Sequence, residues 1–223
     1  MPGHPQRTQS RHNGLTHPFD SVTQLNAHPE RNVIRLQLRR NVVLQDLDEA
    51  AWDELDRHLV ISDGRKGEYL LMQGVREMEQ YFILEGLLKR VVANKEGKEM
   101  ILRFAAESDM ETSYAAWRLG TPTPYGIVCV TKARVARLPL PVWTAFLERN
   151  AAANQTFQYQ VMLGMSEVMA HTITLHLLDA PGRVQRFLRK HPELLDRVPQ
   201  KELAAYLNLS AETLSRLMRS GRV

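Results

Sequence analysis

Gln200-Lys-Glu-Leu203-Ala204-Ala-Tyr-Leu207-Asn208-Leu-Ser210-Ala211-Glu212-Thr213-Leu214-Ser215-Arg216-Leu217-Met218 has the spacing of two short helices joined by a tight turn. Leu203, Ala204 and Leu207 fall on one face of the first helix, and Ala204 is small enough to let a second helix cross close above it. Asn208 sits where a three-residue turn needs a left-handed backbone, which asparagine tolerates better than most residues. Ser210 is placed to cap the second helix, and Leu214 and Leu217 would turn back into a small core. The outward set is then Ala211, Glu212, Ser215, Arg216 and Arg219. Arginine can bond guanine bidentately, glutamate can accept from cytosine, and serine can reach a base edge or a phosphate. This pattern is that of a helix-turn-helix that reads double-stranded DNA.

Charge agrees with that expectation. Residues 179–223 carry nine Lys/Arg against five Asp/Glu, a net +4, which equals the formal net charge of the whole chain. Basicity is therefore concentrated where phosphate contact would need it.

A helix-turn-helix occupies only a fraction of 223 residues, and a hydrophobic content of 43% can bury a further core. Residues 1–32, rich in His, Pro, Asn, Gln and Thr, show no period and read as a disordered tail. Its histidines, His4, His12, His17 and His28, lack the paired spacing of a metal site, and no metal site is expected. No stretch of eighteen apolar residues and no apolar leader core is present, so a cytoplasmic protein without membrane contact is expected. Cys129, the single cysteine, reads as a small core residue and rules out an iron–sulfur cluster held by four thiolates of this chain.

Residues 33–149 read as a β domain with a helix at its start. Leu47, Ala51, Leu55 and Leu59 recur every four positions behind acidic residues, as in an amphipathic helix. Strands are expected over 69–72, 80–84, 87–92, 99–104, 126–130 and 133–138, with Gly67, Gly74, Gly86, Gly97 and Gly120 at the turns. Short strands with glycine corners imply an antiparallel roll. Helix returns near Leu140 and runs to Asp179. Within it Phe157, Val161, Gly164, Val168, His171, Leu175 and Leu178 alternate at steps of four and three, a heptad seam that predicts a parallel homodimer over residues 150–179. Met162, Met165 and Met169, off that seam, are assigned to packing on the roll, and His171 to fixing register. Ala180-Pro181-Gly182 is taken to break the helix before the DNA-binding unit of residues 180–223. The expected class is α+β: an N-terminal antiparallel β-roll, a long dimerisation helix and a C-terminal helix-turn-helix domain.

This order of parts resembles the Crp/Fnr family of bacterial transcription regulators from about Leu44 onward. Gly67-Glu-Tyr-Leu-Leu-Met-Gln-Gly74 is similar to the family's first roll signature, Tyr81-Phe-Ile-Leu-Glu-Gly86 to its second, and Glu96-Gly-Lys-Glu99 to the hairpin that follows. The resemblance implies a homodimer with a cyclic-nucleotide-binding roll whose effector controls the DNA-reading heads. Glu212, Ser215 and Arg216 match the Glu-x-x-Ser-Arg spacing with which the Fnr branch reads a TTGAT-like half-site, and Thr213 corresponds to a phosphate contact. Ser210 and Arg219 complete the expected DNA-facing set.

Three departures limit what carries over. Around Glu111, Thr112 and Ser113, and at Thr123 and Pro124, the resemblance places the effector pocket, but Thr123 and Pro124 replace the Arg-Ser or Arg-Thr pair that clamps a cyclic phosphate. Cyclic AMP and cyclic GMP are therefore not expected to bind in the usual manner, and the small-molecule effector is unidentified. The Fnr-type cysteine cluster is absent. After Arg219 only four residues remain, so the wing that usually follows the recognition helix is expected to be missing, and a truncated or defective regulator is a further alternative. No nucleophile elbow, P-loop or dinucleotide loop occurs, and no enzyme activity is expected. The alternatives are a ligand-sensing or interaction module without DNA binding, and a haem-based gas sensor using His58, His176 or His191 as axial ligands.

Overall fold

A computed structural model describes residues 22–220. Among the described residues, nine strands form two antiparallel sheets. The first has the order β1 (Val22–Gln24), β2 (Val60–Gly64), β9 (Ala133–Pro139), β4 (Glu79–Glu85) and β7 (Met110–Thr112). The second has the order β3 (Tyr69–Leu71), β8 (Gly126–Cys129), β5 (Leu88–Ala93) and β6 (Glu99–Ala105). All pairings are antiparallel, as the glycine-punctuated strand pattern predicts. Gly86 shows why that punctuation is strict: at φ +94°, a Cβ there would stand 2.3 Å from the carbonyl oxygen of Lys132.

Helices surround the roll. The chain contributes α1 (Arg31–Leu38), α2 (Glu49–Asp56), α3 (Tyr114–Arg118), α4 (Leu140–Arg149) and α5 (Ala151–Leu177), then α6 (Ala180–Lys190), α7 (Gln200–Tyr206) and α8 (Ala211–Arg219). Asp48 caps α2 by accepting from the Ala51 amide. Trp52, Leu55, Trp143, Phe146 and Phe157 lie in one core with Phe82 and Leu138 of the first sheet.

Part of the segment assigned to a disordered tail is folded. β1 pairs with β2, Leu25 is fully buried, and α1 begins at Arg31. Three residues of strand gain their order from a partner edge, so they carry no period of their own. Arg31 and Arg35 then anchor α1 on the buried carboxylate of Asp56. Residues 1–21, including His4, His12 and His17, lie outside the described residues.

The helix expected from Leu140 to Asp179 is interrupted. Asn150 leaves helical geometry at φ −124°, ψ 75°, separating α4 from α5, and α5 stops at Leu177. Ala180-Pro181-Gly182 starts a helix instead of breaking one: Asp179 accepts the Gly182 amide at 2.9 Å, and proline fits the first turn, where its missing N–H is not needed.

The second sheet buries apolar side chains on both of its faces. Leu88, Ile127 and Cys129 pack inside the roll with Tyr81 and Val135. Val91, Ile101, Phe104 and Val128 instead join Val184, Phe187, Leu203, Leu207, Leu214 and Leu217 of the C-terminal helices in a single core. The head therefore rests on its own roll through a continuous apolar contact.

Candidate functional sites

The C-terminal unit is built around its turn. Asn208 takes φ +52°, and the Leu209 amide donates to the Ala204 carbonyl at 2.8 Å. Arg183 of α6 clamps the same turn by donating to the Leu207 carbonyl at 2.8 Å and to that of Asn208 at 3.3 Å. Ser210 accepts from the Thr213 amide at 3.1 Å and donates to the Thr213 hydroxyl at 2.9 Å, so both hydroxyls are engaged in starting α8. Leu214 and Leu217 are buried; Glu212, Arg216 and Arg219 are exposed, and Thr213 and Ser215 are half-buried beside them. The residues expected to face DNA thus share one accessible face of α8, while Gly221–Val223, where the wing was expected to be missing, lie outside the described residues.

The faces of α5 are reversed from the expectation. Phe157 is fully buried in the roll's own core, in edge contact with Tyr114 and Trp143, and Val161 packs on that core. Gly164 is buried against Arg103, and His171 against Tyr206 of α7. Val168 and Leu175 are half-buried on the same side, and Leu178 is exposed. Met162, Met165 and Met169, assigned to the roll, are instead 56–62% exposed, as are Tyr159 and Ile173 at 58% and 50%. The physical reason is that two apolar stripes ran along one helix, and aromatic bulk decided between them. Phe157 completes the cluster with Trp143 and Tyr114, whereas flexible methionines tolerate the outer side.

The sequence-predicted pocket residues cluster, but around a charge that the sequence reading missed. Glu111 is 1% exposed and accepts from Arg90 Nε at 2.9 Å and Nη2 at 2.5 Å, while Arg103 Nε stands 3.2 Å from its other oxygen. The Tyr125 ring covers the Arg90 guanidinium at 4.2 Å, and its hydroxyl donates to the Thr112 carbonyl. Ser113 and Thr123 share a hydrogen bond of 3.1 Å, and Thr123 donates to the Tyr125 carbonyl; both are buried, and Pro124 is exposed. Although Thr123 and Pro124 stand in place of a clamp arginine, two cations do reach this pocket: Arg90 and Arg103, which come from β5 and β6 and not from the loop at Thr123. Their signal in the sequence was a charged residue at an inward position of each apolar strand. A cavity of about 180 Å³ opens beside them, between the roll and α5, lined by Tyr114, Gln160, Val161 and Gly164 among others.

Polar contacts join head and roll as well. Lys89 of β5 donates to Glu202 of α7 at 2.7 Å, Arg197 to Glu107 at 2.8 Å, and Lys190 lies 3.7 Å from Glu167 of α5. Burial beside this joint pushes the His171 imidazole down to about 4 and the Tyr206 phenol up to about 12. Burial also pushes the Cys129 thiol up to about 12, which keeps it an unreactive core residue. Of the histidines weighed as haem ligands, His58 and His176 are exposed, and His191 sits half-buried beside Phe187. Among the described residues no cluster of three His, Cys, Asp or Glu could hold a metal ion, and no helix is long and apolar enough to cross a membrane.

Residues 64–150 match the family described as the cyclic nucleotide-binding domain. The cAMP-activated global transcriptional regulator CRP of Salmonella typhimurium is 21% identical over 160 residues, covering 67% of this chain and 76% of that protein. Among solved structures, FixK2 from Bradyrhizobium japonicum superimposes with a TM-score of 0.64 at 16% identity, over 73% of this chain and 83% of that one. The c-di-GMP-responsive global regulator CLP of Xanthomonas campestris does so with a TM-score of 0.62 at 14% identity, over 78% and 91%. The β-roll, the long helix α5 and the C-terminal helices thus share their fold with these solved structures, and residues 64–150 match the cyclic nucleotide-binding domain.

Proposed function

We propose that the protein is a sequence-specific DNA-binding regulator that acts as a homodimer on a palindromic operator, under control of an effector sensed by the roll. The observation that carries this reading is the turn at Asn208 and the Ser210 cap, which leave Glu212, Ser215 and Arg216 together on the accessible face of α8. Arg216 would bond a guanine and Glu212 accept from a cytosine, in TTGAT-like half-sites. Arg219 would reach a phosphate, and Ser210 and Thr213 would hold the N-terminus of α8 against the backbone.

The homodimer reading now uses the other face of α5. Tyr159, Met162, Ser166, Met169 and Ile173 follow steps of three and four, and the four large members are 50–62% exposed. A second copy laid along this stripe would bury it and set two α8 helices for half-sites one helical turn apart. Fluorescence anisotropy with a labelled palindromic TTGAT-containing duplex tests the proposal. Tight binding that weakens steeply with salt and is lost on scrambling both half-sites supports it; equal affinity for the scrambled duplex overturns it.

A further inference from the structure

A second cavity, of about 40 Å³, lies where β6, α5, α6 and α7 meet. It has room for about three water-sized groups, so a nucleotide does not fit and a small ion does. Its lining includes four fixed cations, Arg103, Arg183, Arg186 and Lys190, and one acid, Glu167. Two of those cations have carboxylate partners: Arg103 stands 3.2 Å from Glu111, and Lys190 3.7 Å from Glu167. Glu193, the next acid along the chain, is turned to His191 at 3.6 Å and is mostly exposed. Among the described residues no carboxylate pairs with Arg183 or Arg186, and both are half-buried.

Two polar atoms of the lining residues are buried without a hydrogen-bond partner among the described residues, His171 Nε2 and Arg183 Nε. His171 is 9% exposed and its ring lies flat on Tyr206, which holds the imidazole in place. Arg183 donates from Nη1 to the Leu207 and Asn208 carbonyls, which leaves its charge without a counter-ion. Buried polar groups are unfavourable until paired. A water would satisfy the hydrogen bonds but not the charge of two guanidiniums.

We propose that this cavity binds a small inorganic oxyanion, held by the guanidiniums of Arg183 and Arg186 with the His171 imidazole beside it. Binding there is independent of the DNA reading proposed above. Because its walls come from β6, α5, α6 and α7, an occupant touches roll, long helix and head together.

Calorimetry on the full chain tests this with sodium sulfate as probe, at an ionic strength held constant by sodium gluconate, whose anion is too large for the cavity. Sulfate should bind, and Arg186→Gln should lower its affinity about tenfold, as expected for the loss of one charged hydrogen bond. Arg189→Gln removes the same charge from an exposed position of α6, and Arg216→Gln from the DNA-facing side of α8; both should leave sulfate affinity unchanged.

The His171 proton resonances, assigned with His171→Phe, give a second and local readout. The groups facing this imidazole are Glu167 of α5, Arg183, Arg186 and Lys190 of α6, His191, Tyr206 of α7 and Arg103 of β6. Burial, with the cations of α6, holds it down to about 4, and sulfate should raise its midpoint by about one unit, since a nearby opposite charge favours the protonated form. If Arg186→Gln fails to fold, this titration of the wild type decides alone. Absence of sulfate binding, an equal loss in Arg189→Gln, a loss confined to Arg216→Gln, or a His171 midpoint that ignores sulfate would each overturn the proposal. Loss of specific DNA binding with sulfate binding intact would overturn the regulator reading and leave this one standing.

Discussion

His171 of α5 and Tyr206 of α7 stack ring on ring, with centroids 3.8 Å apart and planes within 1° of parallel. Phe104 of β6 and Phe187 of α6 meet the same tyrosine at 5.2 Å and 5.7 Å, so one side chain joins roll, long helix and head. The groups facing His171 are mostly basic: Arg186, Lys190 and His191, against Glu167.

That joint makes stability depend on pH. Burial holds His171 neutral down to about 4, whereas the unfolded chain takes up the proton near 6.5. Between those values the unfolded state binds more protons, so stability is complete above about pH 6.5 and falls as pH drops toward 4, by at most about 3 kcal/mol. His191, whose imidazole burial also pushes down, acts in the same direction. Urea denaturation at pH 7 and pH 5 should show the loss, and His171→Phe should reduce it. An unchanged pH slope in that variant would remove His171 as its source.

Arg216→Ala should cost about 1–3 kcal/mol at a cognate operator and relax preference at one base pair. Anisotropy across single-base operator variants reads this out. A uniform loss on all sequences would make Arg216 a phosphate contact instead.

Met162→Asp or Met169→Asp should convert a dimer to monomers in sedimentation while leaving the fold intact, because each is exposed in the single chain. Val161→Asp should behave differently: it places a charge against the core formed with Phe157, and should destabilise the fold by several kcal/mol, about the cost of burying an unpaired charge. If Val161→Asp gives a stable monomer and the methionine variants stay dimeric, the faces of α5 are assigned the wrong way round.

Asn208→Val should destabilise the head by about 1–2 kcal/mol, since a β-branched residue resists φ +52°, while Asn208→Gly should be close to neutral. Denaturation followed by circular dichroism compares the two.

Cyclic AMP at millimolar concentration should leave operator affinity unchanged. Thr123 is occupied by Ser113 and the Tyr125 carbonyl, and Pro124 has no amide to offer a phosphate. A cyclic AMP-dependent gain in affinity would show that Arg90 and Arg103 serve a cyclic phosphate after all.

The sequence by itself determined the parts whose order is local. Glycines at forced turns such as Gly86 marked the roll. The pairing of Asn208 with Ser210 marked the turn and the start of α8, because φ preference and capping act within a few residues. What only the tertiary structure decided depended on competition between distant groups. β1 exists because β2 offers it an edge, and Asn150 interrupts a helix that propensity alone would have continued. The stripe through Phe157 packs within its own chain because α4 brings Trp143, and α3 Tyr114, into edge contact with Phe157. Arg90 and Arg103 stood as charges at inward positions of apolar strands, which in sequence mark burial but name no partner. Only the fold, by bringing Glu111 between them, made them a charged site.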